Sequence, residues 1–138
     1  MIAASHPILA CAAARVLEEG LFHGDEALEW VAMQRAGRAI AAAVRRDFEE
    51  IGGFPADARV LVLAGKGHNG GDALIAAQAL VAAFPGVRVD VRFVLGQRAL
   101  RPLAARAWRE LSATAAAGRL VALRPEADGP SGYDLCMH

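Results

Sequence analysis

The sequence predicts an α/β fold in which two N-terminal helices precede a parallel sheet with helices on both faces. Three observations predict it. Strand-like and helix-like segments alternate from residue 59 onward. The first strand-like segment is apolar without interruption, as in a strand buried on both faces. A glycine-rich loop then joins this strand to the following helix, where open parallel sheets carry their ligand-binding loops.

The two N-terminal helices are predicted over residues 7–20 and 25–48. In the second helix, Asp25 stands at the expected N-cap position, and the glycine pair at 52–53 ends the segment. One broad apolar face is expected to bury Leu28, Val31, Ala32, Ile40 and Val44.

The remaining elements alternate as parallel strands joined by right-handed helical crossovers require. They are predicted as a strand at 59–64, a helix at 72–84, a strand at 87–95, a helix at 102–117, a strand at 120–123, a loop at 124–132 and a strand at 133–137. Because the sequence stops just as this last strand begins, we expect one domain over residues 1–138 that is incomplete at its C-terminus.

Composition excludes several functional classes. The chain is 55% hydrophobic and 22% charged, which is typical of an ordered globular domain. Fifteen basic residues balance fifteen acidic ones, so no net charge favours nucleic acid or an anionic membrane as a partner. No apolar run reaches the roughly 18–20 residues that a membrane-spanning helix needs.

The two cysteines, Cys11 and Cys136, lie at opposite ends of the sequence and form neither a disulfide framework nor a metal cluster. A reduced, cytoplasmic protein is therefore expected. Residues 8–11 look superficially like a lipoprotein cleavage box, but no positive charge precedes them, which favours the start of an ordinary helix.

The loop after the first strand reads Gly-Lys-Gly-His-Asn-Gly-Gly-Asp over residues 65–72. Its glycines satisfy G-x-G-x-x-G between a strand and a helix, which favours close approach of backbone N–H groups to a pyrophosphate. The match to a dinucleotide site is imperfect, because Asp90 has the right spacing for a ribose ligand but lies in the middle of a strand.

The polar side chains of this loop each allow two interpretations. Asn69 and Asp72 are three residues apart at a helix start, so they either cap the helix or line a ligand or cation site. His68 is either a surface histidine or a ligand contact, and no second His or Cys stands at metal-ligand spacing. Lys66, the sole lysine, is either a solvated charge or a phosphate contact.

Three segments together resemble the NAD(P)H-hydrate epimerase family, whose signature lies in a YjeF-type N-terminal domain. The glycine loop resembles the family's G-x-G-N-N-G-G-D-G sequence, with His68 in place of the first Asn and Ala73 in place of the last Gly. Upstream, Met33 to Ala41 resembles M-E-x-A-G-x-x-x-A. Downstream, Tyr133 to Met137 resembles the strand that leads to a D-A-L-x-G-x-G loop.

The resemblance implies a Rossmann-like three-layer α/β/α sandwich. It also implies an isomerase of metabolite repair that interconverts the R and S epimers of hydrated NADH and NADPH (NADHX and NADPHX), in which water is added at nicotinamide C6. A bound potassium ion is implied, as are a homodimer formed partly by the N-terminal helices and a dehydratase, fused or separate, that acts on the S epimer.

The resemblance assigns substrate binding to His68, Asn69, Gly70, Gly71 and Asp72, and potassium binding to Asn69. A second potassium-binding Asp of the family corresponds to His138, whose imidazole is a poor ligand for this ion. The family's catalytic Asp belongs to a later V-D-x-P-S-G segment that this sequence does not contain. We therefore expect the 138-residue chain to lack epimerase activity by itself.

Two alternatives stay open. One is a non-catalytic Rossmann-like module that scaffolds RNA or protein, which the neutral charge and the lack of aromatic or arginine stripes disfavour for RNA. The other is an NAD(P)-dependent dehydrogenase, which the position of Asp90 disfavours.

Overall fold

The computed structural model describes residues 11–124 and 131–138. These residues contain four α-helices, four strands and one short 3₁₀ turn. In chain order they are α1 (Cys11–Phe22), α2 (Glu26–Glu49), β1 (Arg59–Ala64), α3 (His68–Ala83), β2 (Arg88–Phe93), the 3₁₀ turn (Gln97–Ala99), α4 (Pro102–Thr114), β3 (Leu120–Leu123) and β4 (Leu135–Met137). No helix among these residues is both long enough and apolar enough to cross a membrane.

The strands form one parallel sheet in the order β3-β2-β1-β4. β1 is central, with Val62 in register with Val91 of β2 on one side and with Met137 of β4 on the other. The crossovers through α3 and α4 both lead away from β1 in the same direction, so right-handed connections place both helices on the same face of the sheet. The predicted α/β class and the Rossmann-like arrangement are confirmed.

The core lies between this helical layer and one face of the sheet. Strand residues alternate between buried and half-buried positions, as expected when helices cover one face. The buried strand positions are Val60, Val62, Ala64, Val89, Val91, Phe93 and Met137. Leu61, Leu63 and Asp90 point to the other face and are half-buried, so the described residues supply the sheet and one of the two expected helical layers.

The predicted buried face of α2 is wrong. Its buried residues are Trp30, Met33, Gly37 and Ala41, whereas the expected Leu28 and Val31 are about half exposed and Ile40 is 37% exposed. The cause is the crossing with α3, because a Cβ at Gly37 would lie 2.5 Å from the Cβ of Ile75. Close approach of two helices needs a residue without a side chain, and this contact sets the rotation of α2.

Most element boundaries shift by a few residues. Asp25 is confirmed as the N-cap of α2, since its side chain accepts hydrogen bonds from the backbone N–H groups of Ala27 (2.9 Å) and Leu28 (3.4 Å). The largest error concerns α3, which begins at His68 rather than at residue 72. Smaller differences shorten the elements predicted at 87–95, 102–117 and 133–137. Residues 7–10 of the first predicted helix and 125–130 of the last predicted loop lie outside the described residues.

The entry to β4 is fixed to β1 and β2 by polar contacts. The backbone N–H of Arg59 donates to the Asp134 carboxylate (2.8 Å), and the N–H of Asp134 donates back to the Arg59 carbonyl (2.8 Å). The Tyr133 hydroxyl donates to the Asp90 carboxylate over 2.6 Å. The Arg59 guanidinium lies 5.2 Å from the centre of the Tyr133 ring. These contacts therefore add to the few backbone hydrogen bonds that β4, with three residues, makes with β1.

Tyr133→Phe is expected to reduce the fall in the free energy of unfolding that the wild-type chain shows as the pH rises from 10.0 to about 12. The pKa of Tyr133 is raised from 10.0 to about 12, chiefly by burial and then by the hydrogen bond to Asp90 and its negative charge, while the positive charges of Arg59 and Arg92 lower it by less. Since the folded pKa is the higher one, the protonated hydroxyl contributes stability that is fully present below pH 10 and is lost as the pH rises towards 12.

Urea unfolding of the wild-type chain and of Tyr133→Phe across this pH range measures the difference. Tyr133 is the sole tyrosine, so no other phenol contributes to the comparison. Parallel stability curves for the two proteins would contradict this role of the hydroxyl.

Candidate functional site

A cleft opens where the strand order reverses. The chain proceeds from β1 to β2 and β3 on one side and then returns to β4 on the other, so the β1–β4 boundary is the switch point at which open α/β sheets bind ligands. The cleft has a volume of about 300 Å³ and lies between the amino end of α3 and the carboxyl end of β4. It is lined by Ile40, Asn69, Asp72, Ala73, Cys136, Met137 and His138.

The glycine loop is short because α3 starts almost at once. Gly67 is the N-cap residue of α3 and provides no side-chain cap, so the predicted capping role of Asn69 is wrong. A Cβ at Gly70 would collide with the carbonyl oxygen of Gly65. This glycine therefore allows the first turn of α3 to pack directly on the loop, which brings its N–H groups to the carboxyl edge of the sheet.

Asn69 and Asp72 lie on one face of α3, as residues three apart in a helix do. Asn69 is exposed and Asp72 is half-buried, and both line the cleft. Asp72 is the fifth residue of the helix and lies beyond its first turn, so it does not cap the helix either. The position of both side chains on the cleft favours the ligand-site interpretation over the capping one.

Gly70 and Gly71 are buried packing positions. At Gly71 a Cβ would lie 2.5 Å from the sulfur of Met33, so α2 presses against the start of α3 at this point. Met33 and Gly37, which stand in the upstream motif, are thus residues that hold α3 in place. Their packing explains why that motif accompanies the glycine loop.

His68 and Lys66 are exposed and do not line the cleft. His68 is the first residue of α3, beside the unsatisfied N–H groups of the helix end. The carbonyl of Lys66 accepts a hydrogen bond from the backbone N–H of Arg101 over 2.9 Å, which joins the β1 loop to the loop that follows β2.

The side chains that α3 contributes to the cleft have the donor atoms that a hard cation prefers. Asn69 supplies an amide oxygen and Asp72 a carboxylate, the ligand types that such ions prefer, whereas His138 supplies nitrogen. Within residues 11–124 and 131–138, no group of three or more His, Cys, Asp and Glu side chains is placed to hold a metal ion.

Sequence reasoning missed four residues of the cleft, namely Ile40, Ala73, Cys136 and Met137. Ile40 was assigned to the buried face of α2. The two β4 residues reach the site because β4 pairs directly with β1, so that Met137 lies beside Val62 near the glycine loop. The one available signal was the resemblance, which assigns potassium binding both to Asn69 and to the position of His138, since spacing along the chain does not bring residues 69 and 138 together.

A larger hollow of about 420 Å³ lies over β2 and β3, on the face of the sheet to which Asp90 points. It is lined by Arg59, Arg88, Asp90, Gly118, Arg119, Val121 and Leu123. None of its lining residues belongs to the glycine loop, whereas Asn69 and Asp72 of that loop line the smaller cleft, so we place the functional site there. Asp90 is bonded to Tyr133 on this side and is not placed to hold a ribose at the end of β2.

Curated proteins match about half of the chain. The "Bifunctional NAD(P)H-hydrate repair enzyme Nnr" of Gloeobacter violaceus is 42% identical over 73 residues, which are 53% of this chain and 13% of that protein. The "NAD(P)H-hydrate epimerase" of Bordetella pertussis is 46% identical over 78 residues, which are 56% of this chain and 31% of that protein. The matched part therefore spans less than a third of either curated relative.

A crystal structure shows the same fold. Yeast ynu0 (YNL200c) superposes with a TM-score of 0.66 at 23% identity, over 88% of this chain and 48% of the yeast chain. The family model described as "YjeF-related protein N-terminus" matches residues 30–135, which include most of α2, the glycine loop and the start of β4. Because this match covers most of the sequence in one uninterrupted stretch, the chain belongs to the YjeF-related protein N-terminus family.

Proposed function

We propose that this chain is the substrate-binding part of an NAD(P)H-hydrate epimerase and that it holds the hydrated nicotinamide in the β1–β4 cleft. The names of its relatives support the substrate class. The observation that carries the proposal is that Asn69 and Asp72 face one cleft at the switch point of the sheet. The name of the bifunctional relative supports a dehydratase as the partner activity.

Side chains of the loop are proposed to bind the hydrated ring, and its backbone N–H groups are proposed to bind the pyrophosphate. Asn69 and Asp72 offer side-chain oxygens to the polar hydrated ring, and His68 offers an exposed imidazole beside them. The N–H groups of the first residues of α3, up to Gly70, have no intrahelical partner and favour the pyrophosphate. Gly71 supports the site through packing, since its own N–H donates to the Gly67 carbonyl over 3.2 Å.

Potassium is proposed as the cofactor, with Asn69 as its ligand and Asp72 as the neighbouring negative charge. An amide oxygen suits a monovalent hard cation, and the Asp72 carboxylate offsets the positive end of the α3 dipole. The ion would supply positive charge that orients the oxygen-rich substrate, while the chain's own side chains fix its position.

Turnover by the 138-residue chain is proposed to be negligible. Epimerisation needs a group that removes and returns a proton at the reacting centre. Asp72 is the one carboxylate lining the cleft within the described residues, and it is proposed to bind substrate. The chain would therefore bind the hydrate without inverting it.

Thermal unfolding in the presence of NADPH hydrate or plain NADPH, each with potassium or sodium, tests the proposal. A ligand that binds the folded state alone raises the melting temperature, and the rise grows with the ratio of its free concentration to its Kd. We expect the largest rise with hydrate and potassium together, and no inversion of the R epimer by the purified chain.

The other outcomes separate the alternatives. An equal rise with plain NADPH would favour a dehydrogenase-type site and contradict hydrate recognition. No rise with either nucleotide would favour a non-catalytic module. Measurable inversion of the R epimer would overturn the proposed lack of turnover.

A further inference from the structure

Three cationic residues belong to two hydrogen-bonded loops at the carboxyl edge of the sheet, on the β2 side of the glycine loop. Lys66 belongs to the loop after β1, and Arg98 and Arg101 belong to the loop after β2. All three are exposed, and none takes part in an ion pair or side-chain hydrogen bond with the rest of the described chain. We call these three residues the basic edge.

The backbone holds the basic edge in a defined arrangement. Besides the bond from Arg101 N–H to the Lys66 carbonyl, the N–H of Val94 donates to the carbonyl of Ala64 over 3.0 Å. Gly96 adopts a positive φ of 84° and starts the 3₁₀ turn that carries Arg98. Leu100 packs against the core, so the loop is anchored between its two arginines.

The local charge differs from that of the whole chain. Residues 65–71 and 94–101 contain Lys66, Arg98 and Arg101 but no Asp or Glu, although the sequence as a whole is balanced. Two other arginines near the ends of the strands are engaged. Arg119 donates to the carbonyls of Val87, Val81 and Phe84, and Arg59 donates to that of Ser131. The basic edge is therefore a local positive field open to an anion.

The place of the basic edge matches one end of a dinucleotide. With the nicotinamide in the β1–β4 cleft and the pyrophosphate at the start of α3, the adenosine extends along the carboxyl edge towards the end of β2. Sites for NAD place an acid there for the free ribose hydroxyl, and sites for NADP place an arginine for the 2′-phosphate. Here β2 ends at Phe93, and the loop that follows it carries Arg98 and Arg101 and no acidic residue.

We infer that Lys66, Arg98 and Arg101 bind the 2′-phosphate of the adenosine, so that the chain selects NADPH hydrate over NADH hydrate. This inference rests on the proposed function for its substrate class. Paired guanidinium groups suit a phosphate because they donate several charge-assisted hydrogen bonds in a fixed geometry.

Calorimetric titration of the full 138-residue chain with three nucleotides tests the inference. Adenosine 2′,5′-bisphosphate, its 3′,5′ isomer and adenosine 5′-monophosphate share the base, and the two bisphosphates carry the same charge. We expect the 2′,5′ isomer to bind about ten-fold more tightly than either of the others, the ratio that one charge-assisted hydrogen bond provides.

The double variant Arg98→Gln/Arg101→Gln is expected to abolish this preference. Arg88→Gln is the matched control, because Arg88 is an exposed arginine at the opposite end of β2. The inference is overturned if the 2′,5′ isomer does not bind, if both isomers bind equally, or if the control loses as much affinity as the double variant.

The nucleotides used here carry no nicotinamide, so the result is independent of hydrate recognition. A selective response to NADPH hydrate without a 2′-phosphate preference would leave the proposed function and remove this inference. A 2′-phosphate preference without any difference between NADPH hydrate and NADPH would support this inference and contradict the proposed recognition of the hydrate.

Discussion

Gly70→Ala is expected to lower the free energy of unfolding by about 2 kcal/mol and to weaken binding of the hydrate. The added methyl group would meet the Gly65 carbonyl oxygen and would lie 3.0 Å from the Gly65 nitrogen. These are backbone atoms, which cannot turn away as a side chain can, so the first turn of α3 must move. Overpacking of this kind costs up to about 3 kcal/mol, and the better helix propensity of alanine offsets about 1 kcal/mol of it.

Gly67→Ala is the control in the same loop. Gly67 has a φ of −101°, which alanine adopts readily, and a Cβ there would meet no atom within 4 Å. The control is expected to cost less than about 1 kcal/mol, the difference between glycine and alanine at an N-cap. Urea unfolding of both variants measures the difference, and equal stabilities would contradict the close approach of α3 to the loop.

Asn69→Ala is expected to remove the potassium-dependent part of the stabilisation by NADPH hydrate. The side chain is exposed, so its loss leaves the fold intact. The amide oxygen is the neutral donor that the cleft offers to the ion, and loss of one charge-assisted contact weakens binding about ten-fold. Thermal unfolding in potassium and in sodium, each with a series of hydrate concentrations, measures this loss.

His138→Asp is expected to act in the opposite direction. It replaces the imidazole that lines the cleft with a carboxylate, and it should increase the rise in melting temperature that potassium produces. Gln97→Ala removes an exposed amide outside the cleft and serves as the matched control. A control that loses as much potassium response as Asn69→Ala would remove Asn69 from the cation site.

The β strands and the position of the glycine loop were predictable because their signals are local. The apolar run of β1 and the loop that follows it can be identified within 14 residues of sequence, and the predicted β1 bounds of 59–64 are those of the structure. The N-cap at Asp25 was predictable for the same reason, since capping joins groups two or three residues apart.

The orientation of α2 was not predictable from its own residues. Alanine is frequent on all sides of this helix, so its apolar pattern does not define one stripe, and the buried line falls on Trp30, Met33, Gly37 and Ala41. The contacts of Gly37 with Ile75 and of Met33 with Gly71 decide the rotation. The start of α3 was misjudged for a related reason, because glycines that disfavour a helix in isolation allow this helix to pack against its neighbours.

The sequence by itself determined the fold class, the family resemblance and the loop that carries the candidate ligands, since each depends on residues close together in the chain. Tertiary structure alone decided which loop residues reach a common cleft. Asn69 and Asp72 meet His138 because β4 pairs with β1 across a separation of more than 70 residues. Strand pairing over such a distance depends on the whole sheet burying its apolar face, which no short segment encodes.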